Sequence, residues 1–440
     1  MTRSLRDFVP LTENVVNMYV CGPTVYNYIH IGNARSAVAF DTIRRYFEYC
    51  GYTVNYISNF TDVDDKIIKA ANEAGISTKE LSDKFIAAFM EDTGQLGIKP
   101  ATQNPRVINY MDEIIAFVST LVDKGFAYVS EGDVYFRVAK SNNYAKLANK
   151  TLEDLEIGAS GRTDAETERK ENPLDFALWK AAKEGEVSWD SPWGPGRPGW
   201  HIECSVMAIE ILGDTIDIHG GGADLEFPHH TNEIAQSEAK TGKTFANYWM
   251  HNGFVNVDNE KMSKSLGNFV TVHDMLQTVD GQVLRFFLAT QQYRKPINFT
   301  EKAIHDAEVN LKYLKNTHSL PLTEQVNQAE LQTYLDTFQE AMDDDFNTAN
   351  GVTVLFDMAK WINSGNYDQT VKDAFEKMLQ VFGIVFEEEV LDEDIEKLIE
   401  ERQAARANKD FATADRIRDE LAAQGIKLLD TKEGVRWTRD

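Results

Sequence analysis

Short apolar runs alternating with amphipathic stretches divide the chain into regions of different rhythm. Residues 16–20 are an apolar run that stops at Cys21-Gly22-Pro23, and residues 33–49 read as a helix. Residues 52–61 predict a second strand ending at Asp62-Val63-Asp64-Asp65, after which the pattern from Lys66 is helical again. Strand, helix, strand, helix in that order predicts an α/β fold with a parallel sheet, whose ligands gather at the carboxyl ends of its strands. Between about residues 106 and 199 the rhythm changes. Residues 127–138 suggest a hairpin and 188–199 are rich in Trp, Pro and Gly, so the stretch reads as an insertion into the sheet domain. The sheet resumes with strands at 211–218 and 248–257, the second leading into Lys261. From 300 to 385 the pattern is nearly all helical, with Leu335, Phe338, Met342 and Phe346 as one apolar stripe, which predicts a bundle. An acidic hinge at 387–396, a helical segment at 395–424 and a hairpin-like end at 426–437 follow.

At 440 residues the chain is too long for one ordinary core, and 42% hydrophobic with 11% aromatic residues is globular. No apolar run approaches the ~20 residues that a membrane span needs. Arg3 and Arg6 are not followed by the apolar core of a signal peptide, so a cytoplasmic location is expected. Cys21, Cys50 and Cys204 are too few and too scattered for a disulfide framework. Cys50, inside the first long helix, reads as a small buried hydrophobe. The net charge of -25 argues against broad adhesion to nucleic acid and leaves room for a local basic site.

Two motifs carry phosphate chemistry. His30-Ile31-Gly32-Asn33 opens the first helix, where unpaired N–H groups and a partial positive charge suit a phosphate chain; Gly32 permits close approach and His30 can donate to a phosphate oxygen. Lys261-Met262-Ser263-Lys264-Ser265, ending in Leu266-Gly267-Asn268, places two cations where charge builds up during attack on an α-phosphate. Taken singly, His30 reads as an ordinary strand-end histidine and the lysines as a solvated loop. Together, each after a predicted strand, they point to nucleotidyl transfer.

A third set points to a metal. Trp200-His201-Ile202-Glu203-Cys204 is followed by His229-His230-Thr231-Asn232-Glu233, with Pro228 placed to start a helix. His229 and Glu233, four residues apart, share a helix face, and Cys21 can close the set from the end of the first strand. Two thiolates, an imidazole and a carboxylate suit Zn²⁺. On chemistry alone His230 is an equal ligand and His219 a competitor; spacing favours His229. The run Gly220-Gly221-Gly222 lacks the dinucleotide fingerprint.

With these residues in hand the chain resembles the cysteinyl-tRNA synthetase family of class I aminoacyl-tRNA synthetases over essentially its whole length. The matching stretches are residues 19–26, 59–66, 199–204, 219–225 and 227–230, together with the lysine loop. The resemblance implies a Rossmann-like catalytic domain at 1–250 with a connective insertion at about 106–199 and a stem-contact segment at 251–305. A helical bundle at 306–388 and an anticodon-binding module at 389–440 complete it. It implies zinc on Cys21, Cys204, His229 and Glu233, which chooses His229 over His230. His30, Gly32, Asn33 and Lys264 would bind ATP, and His30, Lys261 and Lys264 would stabilise the transferring phosphate. Thr61, Trp200 and Asp224 would surround the amino acid. Asn33 departs from the usual second histidine of the class, and Thr231 stands where many relatives carry an acidic residue.

The implied reaction is activation of L-cysteine with ATP and Mg²⁺, then transfer to tRNA(Cys), by a monomer with no membrane partner. Arg402, Arg406, Lys409, Arg416, Arg418, Lys427, Lys432, Arg436 and Arg439, with Trp437 to stack on a base, are the candidate tRNA-facing groups. A cysteine ligase acting on an amino sugar would need no module at 396–440. A noncatalytic zinc protein would not need His30, Lys261 and Lys264.

Overall fold

The structure, a computed structural model, describes residues 2, 4–142, 144–150, 167–262, 268–324, 326, 328–386, 393–431 and 434–439. One compact unit spans Met1–Val385 and a second spans Phe386–Asp440. In the first, β1 (Val15–Val20) is followed by α1 (Ile31–Tyr49), β2 (Thr53–Ser58), α2 (Asp65–Ala74) and α3 (Thr78–Gln95). Then come α4 (Met111–Asp123) and an antiparallel sheet of β3 (Ala127–Ser130), β4 (Asp133–Phe136), β5 (Phe176–Ala181) and β6 (Gly196–Pro198). α5 (Trp200–Leu212) returns the chain to β7 (Ile216–Gly222), α6 (Thr231–Thr241) and β8 (Ala246–Asn252). The main sheet is parallel throughout and ordered β2-β1-β7-β8. Winding reverses between β1 and β7, and such a reversal opens a crevice at the carboxyl ends of the strands.

Both faces of this sheet are covered by apolar side chains. Val16, Met18 and Val20 pack with Phe40 and Ile43 of α1. Tyr19 and Ile57, on the other face, join Ile202, Cys204 and Met207 of α5. Burying side chains of this size contributes about 1.5–3 kcal/mol each. The glycine run in β7 is a packing device: a β-carbon on Gly220 would lie 2.3 Å from the Phe40 ring, so glycine lets α1 settle onto the sheet.

A small sheet of β9 (Val255–Val257), β10 (Glu260–Lys261) and β11 (Ile297–Phe299) follows, with α7 (Gly281–Ala289) between its strands. The bundle consists of α8 (Glu301–His318), α9 (Gln328–Asp343), α10 (Thr348–Asn363) and α11 (Gln369–Val381). The second unit holds α12 (Glu393–Ala407), α13 (Phe411–Ala423) and the hairpin β12 (Ile426–Thr431) and β13 (Gly434–Arg439), closed over Ile395, Ile399, Ile417, Leu421 and Ile426. Among the described residues no helix is long and apolar enough to cross a membrane.

Several boundaries differ from the sequence reading. The strand expected at 211–218 begins only at Ile216, because α5 runs to Leu212. Every residue from Ile202 to Ile209 is buried, so this helix carries no amphipathic stripe to reveal it. The single strand expected at 248–257 divides at Gly253, whose N–H donates to Tyr293 O at 2.8 Å as the chain changes sheets. The helix expected at 395–424 breaks at Lys409, where φ is 62° and Asp410 caps α13. Phe346 lies beyond α9 at φ 52° and packs on Tyr46 and Phe47 of α1. Cys50 is the C-cap of α1 and is exposed.

One buried arginine ties α1 to the rest of the unit. Arg285 of α7, fully buried, donates Nη2 to Asp41 Oδ2 at 2.5 Å, Nε to Phe382 O at 2.6 Å and Nη1 to Leu96 O at 3.2 Å. Burial alone would raise Asp41; Arg285 and Arg45 hold it below its ordinary value. Removing one partner of a buried pair leaves the other charge uncompensated, at a cost of about 3–5 kcal/mol. Arg285→Met should therefore lower the urea midpoint of unfolding by that equivalent; an unchanged midpoint would show that the node contributes nothing.

Candidate active site and metal centre

α1 starts at the crevice, and its first turn is built from the motif residues. Asn33 N–H donates to His30 Nδ1 at 3.2 Å, besides His30 O at 2.9 Å, and His30 N–H donates to Asn33 Oδ1 at 3.2 Å, a reciprocal cap. Asn33, the departure from the class pattern, is thus the residue that closes the cap. Because Nδ1 accepts, the neutral imidazole carries its proton on Nε2 and is a donor there. Gly32 is required beneath the ring: a β-carbon would lie 2.9 Å from His30 Nδ1 and Cε1.

The lysine loop is anchored beside this turn. His30 and Thr271 form an antiparallel bridge, Ile31 N–H donates to Val270 O at 3.2 Å and Val272 N–H donates to Ile29 O at 2.9 Å. On the other side of the loop, a β-carbon on Gly32 would lie 3.7 Å from Met262 Cε. Asn268 Nδ2 donates to Lys261 O at 3.3 Å, tying the loop ends together. Lys261 is exposed on β10, with Nζ 5.6 Å from the centre of the Phe254 ring. Lys264 lies outside the described residues.

Next to the phosphate end, Cys21 after β1, Cys204 in α5, and His229 and Glu233 around the start of α6 bring four donor atoms within 4.8 Å of one another. Cys21 Sγ is 3.6 Å from Cys204 Sγ and 3.6 Å from Glu233 Oε1, and His229 Nε2 is 3.1 Å from Glu233 Oε1. All but Cys21 are buried. This donor set fits a metal ion. A second grouping, Cys21, His219, His230 and Glu233, shares two of its members, with His230 Nε2 3.4 Å from Cys21 Sγ.

Without a metal these groups compensate one another electrostatically. Burial would raise Glu233, but the histidines His219 and His229 outweigh it and hold the carboxyl at about 2. The hydrogen bond from Cys21, helped by His229 against burial, lowers Cys204 to about 6, while burial pushes Cys21 well up. Burial would lower His229, but Glu233 and Cys204 hold it at about 10.

The surroundings are aromatic and imidazole-rich. His219 Nε2 meets Glu233 Oε2 at 2.7 Å and its ring stacks on Trp249 at 4.6 Å. His230 Nδ1 is 2.8 Å from His251 Nε2, and His201 Nδ1 is 2.9 Å from His229 Nδ1. Trp200, half exposed at the first turn of α5, stacks on His229 at 4.3 Å. Thr61 is buried, its hydroxyl donating to Glu203 Oε2 at 3.1 Å. Asp224 is exposed on the turn after β7. Thr231, between the ligands, is buried and donates to Glu226 O at 2.8 Å. Asn59, Glu203, Trp249 and His251 were not foreseen as site residues. Asn59 and Glu203 lie inside the motif stretches 59–66 and 199–204, which was the available signal.

Comparison with known proteins agrees with this geometry. Residues 7–309 match the family model described as the tRNA synthetases class I (C) catalytic domain, residues 337–387 the DALR domain, and residues 388–437 the cysteinyl-tRNA ligase anticodon binding domain. A cysteine--tRNA ligase of Streptococcus thermophilus (strain CNRZ 1066) is 95% identical over 440 residues, covering 100% of this chain and 98% of that one. One of Streptococcus pyogenes serotype M6 is 83% identical with the same coverage. Among solved structures, Mycobacterium tuberculosis methionyl-tRNA synthetase in complex with methionyl-adenylate superposes with a TM-score of 0.62 at 16% identity, over 84% of this chain and 88% of that one, a likeness of fold. End-to-end identity of this order, joined to the matched catalytic and anticodon-binding families, makes the chain a member of the cysteine--tRNA ligase family of class I synthetases.

Proposed function

We propose that the chain forms cysteinyl adenylate from L-cysteine and ATP with Mg²⁺, releasing pyrophosphate, and then transfers the cysteinyl group to the 3' end of tRNA(Cys). One observation carries this reading: the capped N-terminus of α1, the anchors of the lysine loop and the four-donor cluster all meet at the carboxyl edge of one parallel sheet. The substrate carboxylate attacks the α-phosphorus and the bond to the bridging oxygen of pyrophosphate breaks, so no protein nucleophile is required. The protein supplies position and charge stabilisation. His30 Nε2–H and the N–H of Gly32 receive the phosphates, with Asn33 holding the His30 ring through the cap; Lys261 and Lys264 offset the charge that develops.

Cys21, Cys204, His229 and Glu233 would hold one zinc ion. Tetrahedral zinc bonds of about 2.0–2.3 Å set ligand atoms about 3.3–3.8 Å apart, close to the 3.6, 3.6 and 3.1 Å found here. Zinc so held supplies a soft acceptor for a thiolate, which distinguishes sulfur from oxygen where a hydrophobic pocket achieves only about 10–200-fold. Trp200 walls the small side chain, Thr61 accepts from the substrate ammonium, and Asp224 is its second, more exposed partner. His219, on the other oxygen of Glu233, orients that carboxylate.

Residues 1–250 form the catalytic domain with its insertion at 106–199, residues 251–305 contact the tRNA stem, 306–388 form the bundle and 389–440 read the anticodon. In the last of these Arg402 is buried, so it does not face RNA. Arg406, Lys409, Arg416, Arg418 and Lys427 are exposed, although Arg416 and Arg418 sit near Glu420 and Asp415. Lys432 lies outside the described residues, as do the side chains of Arg436, Trp437 and Arg439. The enzyme acts as a cytoplasmic monomer.

Removing a preorganised cation from a charge-developing site costs about 10²–10³ in rate. Lys264→Ala should lower cysteine-dependent pyrophosphate exchange by at least that factor with metal content unchanged; normal exchange would refute its role. Metal ligands must be deprotonated to bind. At pH 7 the raised His229 and Cys21 carry protons, whereas Cys204 at about 6 and Glu233 at about 2 are largely without them. Adding zinc to the metal-free protein should therefore release about two protons, with affinity rising as pH rises. Titration calorimetry in buffers of different ionisation enthalpy measures this, and zero release would contradict the ligand set.

A further inference from the structure

A chain of hydrogen bonds runs from the neighbour of one thiol ligand to the neighbour of the other, and its direction can be followed from a single backbone group. Gly22, next to Cys21, donates its N–H to Asn59 Oδ1 at 3.0 Å. A backbone N–H can only donate, so the atom it meets is the amide oxygen and the other end of Asn59 is NH₂. That NH₂ reaches Thr61 Oγ1 at 3.3 Å, so the hydroxyl must accept there. Its own proton then goes to Glu203 Oε2, 3.1 Å away and adjacent to Cys204. An ionised Glu203 carboxylate can only accept, which fixes the direction of this last bond. Gly22 is needed at the head of the chain, because a β-carbon there would lie 1.7 Å from Asn59 O.

A hydroxyl has one proton and two lone pairs. Thr61 has spent its proton on Glu203 and one lone pair on Asn59, which leaves one lone pair, an acceptor, beside the metal ligands. Asn59, Thr61 and Glu203 are 1%, 2% and 1% exposed, so water does not scramble this order. Glu203 Oε1 has no partner among the described residues, a buried polar atom whose cost needs a reason.

We propose that Glu203 and Asn59 are positioning residues for amino-acid recognition: together they lock Thr61 as a pure acceptor, aimed at the ammonium of a substrate whose sulfur lies at the metal. This rests on the reading of Thr61 as the ammonium partner. An unlocked hydroxyl could turn its proton toward the ammonium and repel it; the locked one cannot. Glu203 therefore acts through Thr61 and not by direct contact with the substrate.

The test is a double-mutant cycle on the zinc-loaded full-length protein, with Thr61→Val, Glu203→Met and the double variant. Two quantities are read: KM for cysteine in pyrophosphate exchange, and the inhibition constant of 3-mercaptopropionate, which has the thiol and carboxylate of cysteine and no ammonium. Each single variant should raise KM for cysteine about tenfold or more, the loss of one charge-assisted hydrogen bond. The double variant should be no worse than Thr61→Val alone. Inhibition by 3-mercaptopropionate and zinc content should stay unchanged in all three. If Thr61→Val leaves KM unchanged, the ammonium reading of Thr61 fails. If Thr61→Val raises KM but Glu203→Met does not, or their losses add, the relay is overturned. Equal weakening of 3-mercaptopropionate would mark a packing effect and overturn it too. Should Glu203→Met give too little folded protein, Glu203→Ala takes its place in the cycle, where additivity has the same meaning.

Discussion

Holding two thiols, an imidazole and a carboxylate out of water within a few ångströms is the constraint on which the catalytic unit is organised. Isolated buried charges of this kind cost several kcal/mol each unless they are paired or bound to a metal. The fold meets that cost by drawing the four groups from three separate elements, the end of β1, the buried helix α5 and the start of α6. It then surrounds them with partners that fix each ring or carboxylate: His219 on Glu233, His201 and Trp200 on His229. The crevice made by the reversal of strand order beside β1 is where those three elements can meet.

The same geometry brings the two halves of the reaction together. β1 delivers Cys21 to the metal centre and, a few residues later, His30 to the cap of α1, so one loop serves selection and phosphate binding. Segment 270–272, which follows the lysine loop in the chain, pairs with 29–31 beside that cap. Downstream, Asp41 on α1 is clamped by Arg285, which also holds Phe382 at the end of the bundle. The first helix is therefore restrained at its catalytic end and along its length by groups far away in sequence.

Much of this was legible in the sequence where the signal is local. The parallel β-α-β opening, the amphipathic bundle and the terminal hairpin follow from periodicity; Cys21, Cys204 and Glu233 could be grouped with a histidine by donor chemistry and spacing, and the family resemblance chose His229 over His230. The failures have physical causes. α5 is buried on all sides, so Ile211 and Leu212 looked like the start of a strand. The change of sheets at Gly253 is decided by Tyr293, forty residues on. Arg402 shares a helix face with Ile395 and Ile399, a phase that spacing could have exposed, and it is buried with them. Asn59 and Glu203 gain their meaning only when β2 and α5 come together, which no local pattern encodes.

The central claim is that selection of cysteine resides in the metal held by these four side chains. It is tested most directly by measuring metal content and the cysteine-over-serine preference of pyrophosphate exchange on the same preparation of a Cys204→Ser variant. The account predicts loss of the metal and a preference reduced to the roughly 10–200-fold that a small apolar pocket can give. Full metal occupancy with undiminished preference would contradict it.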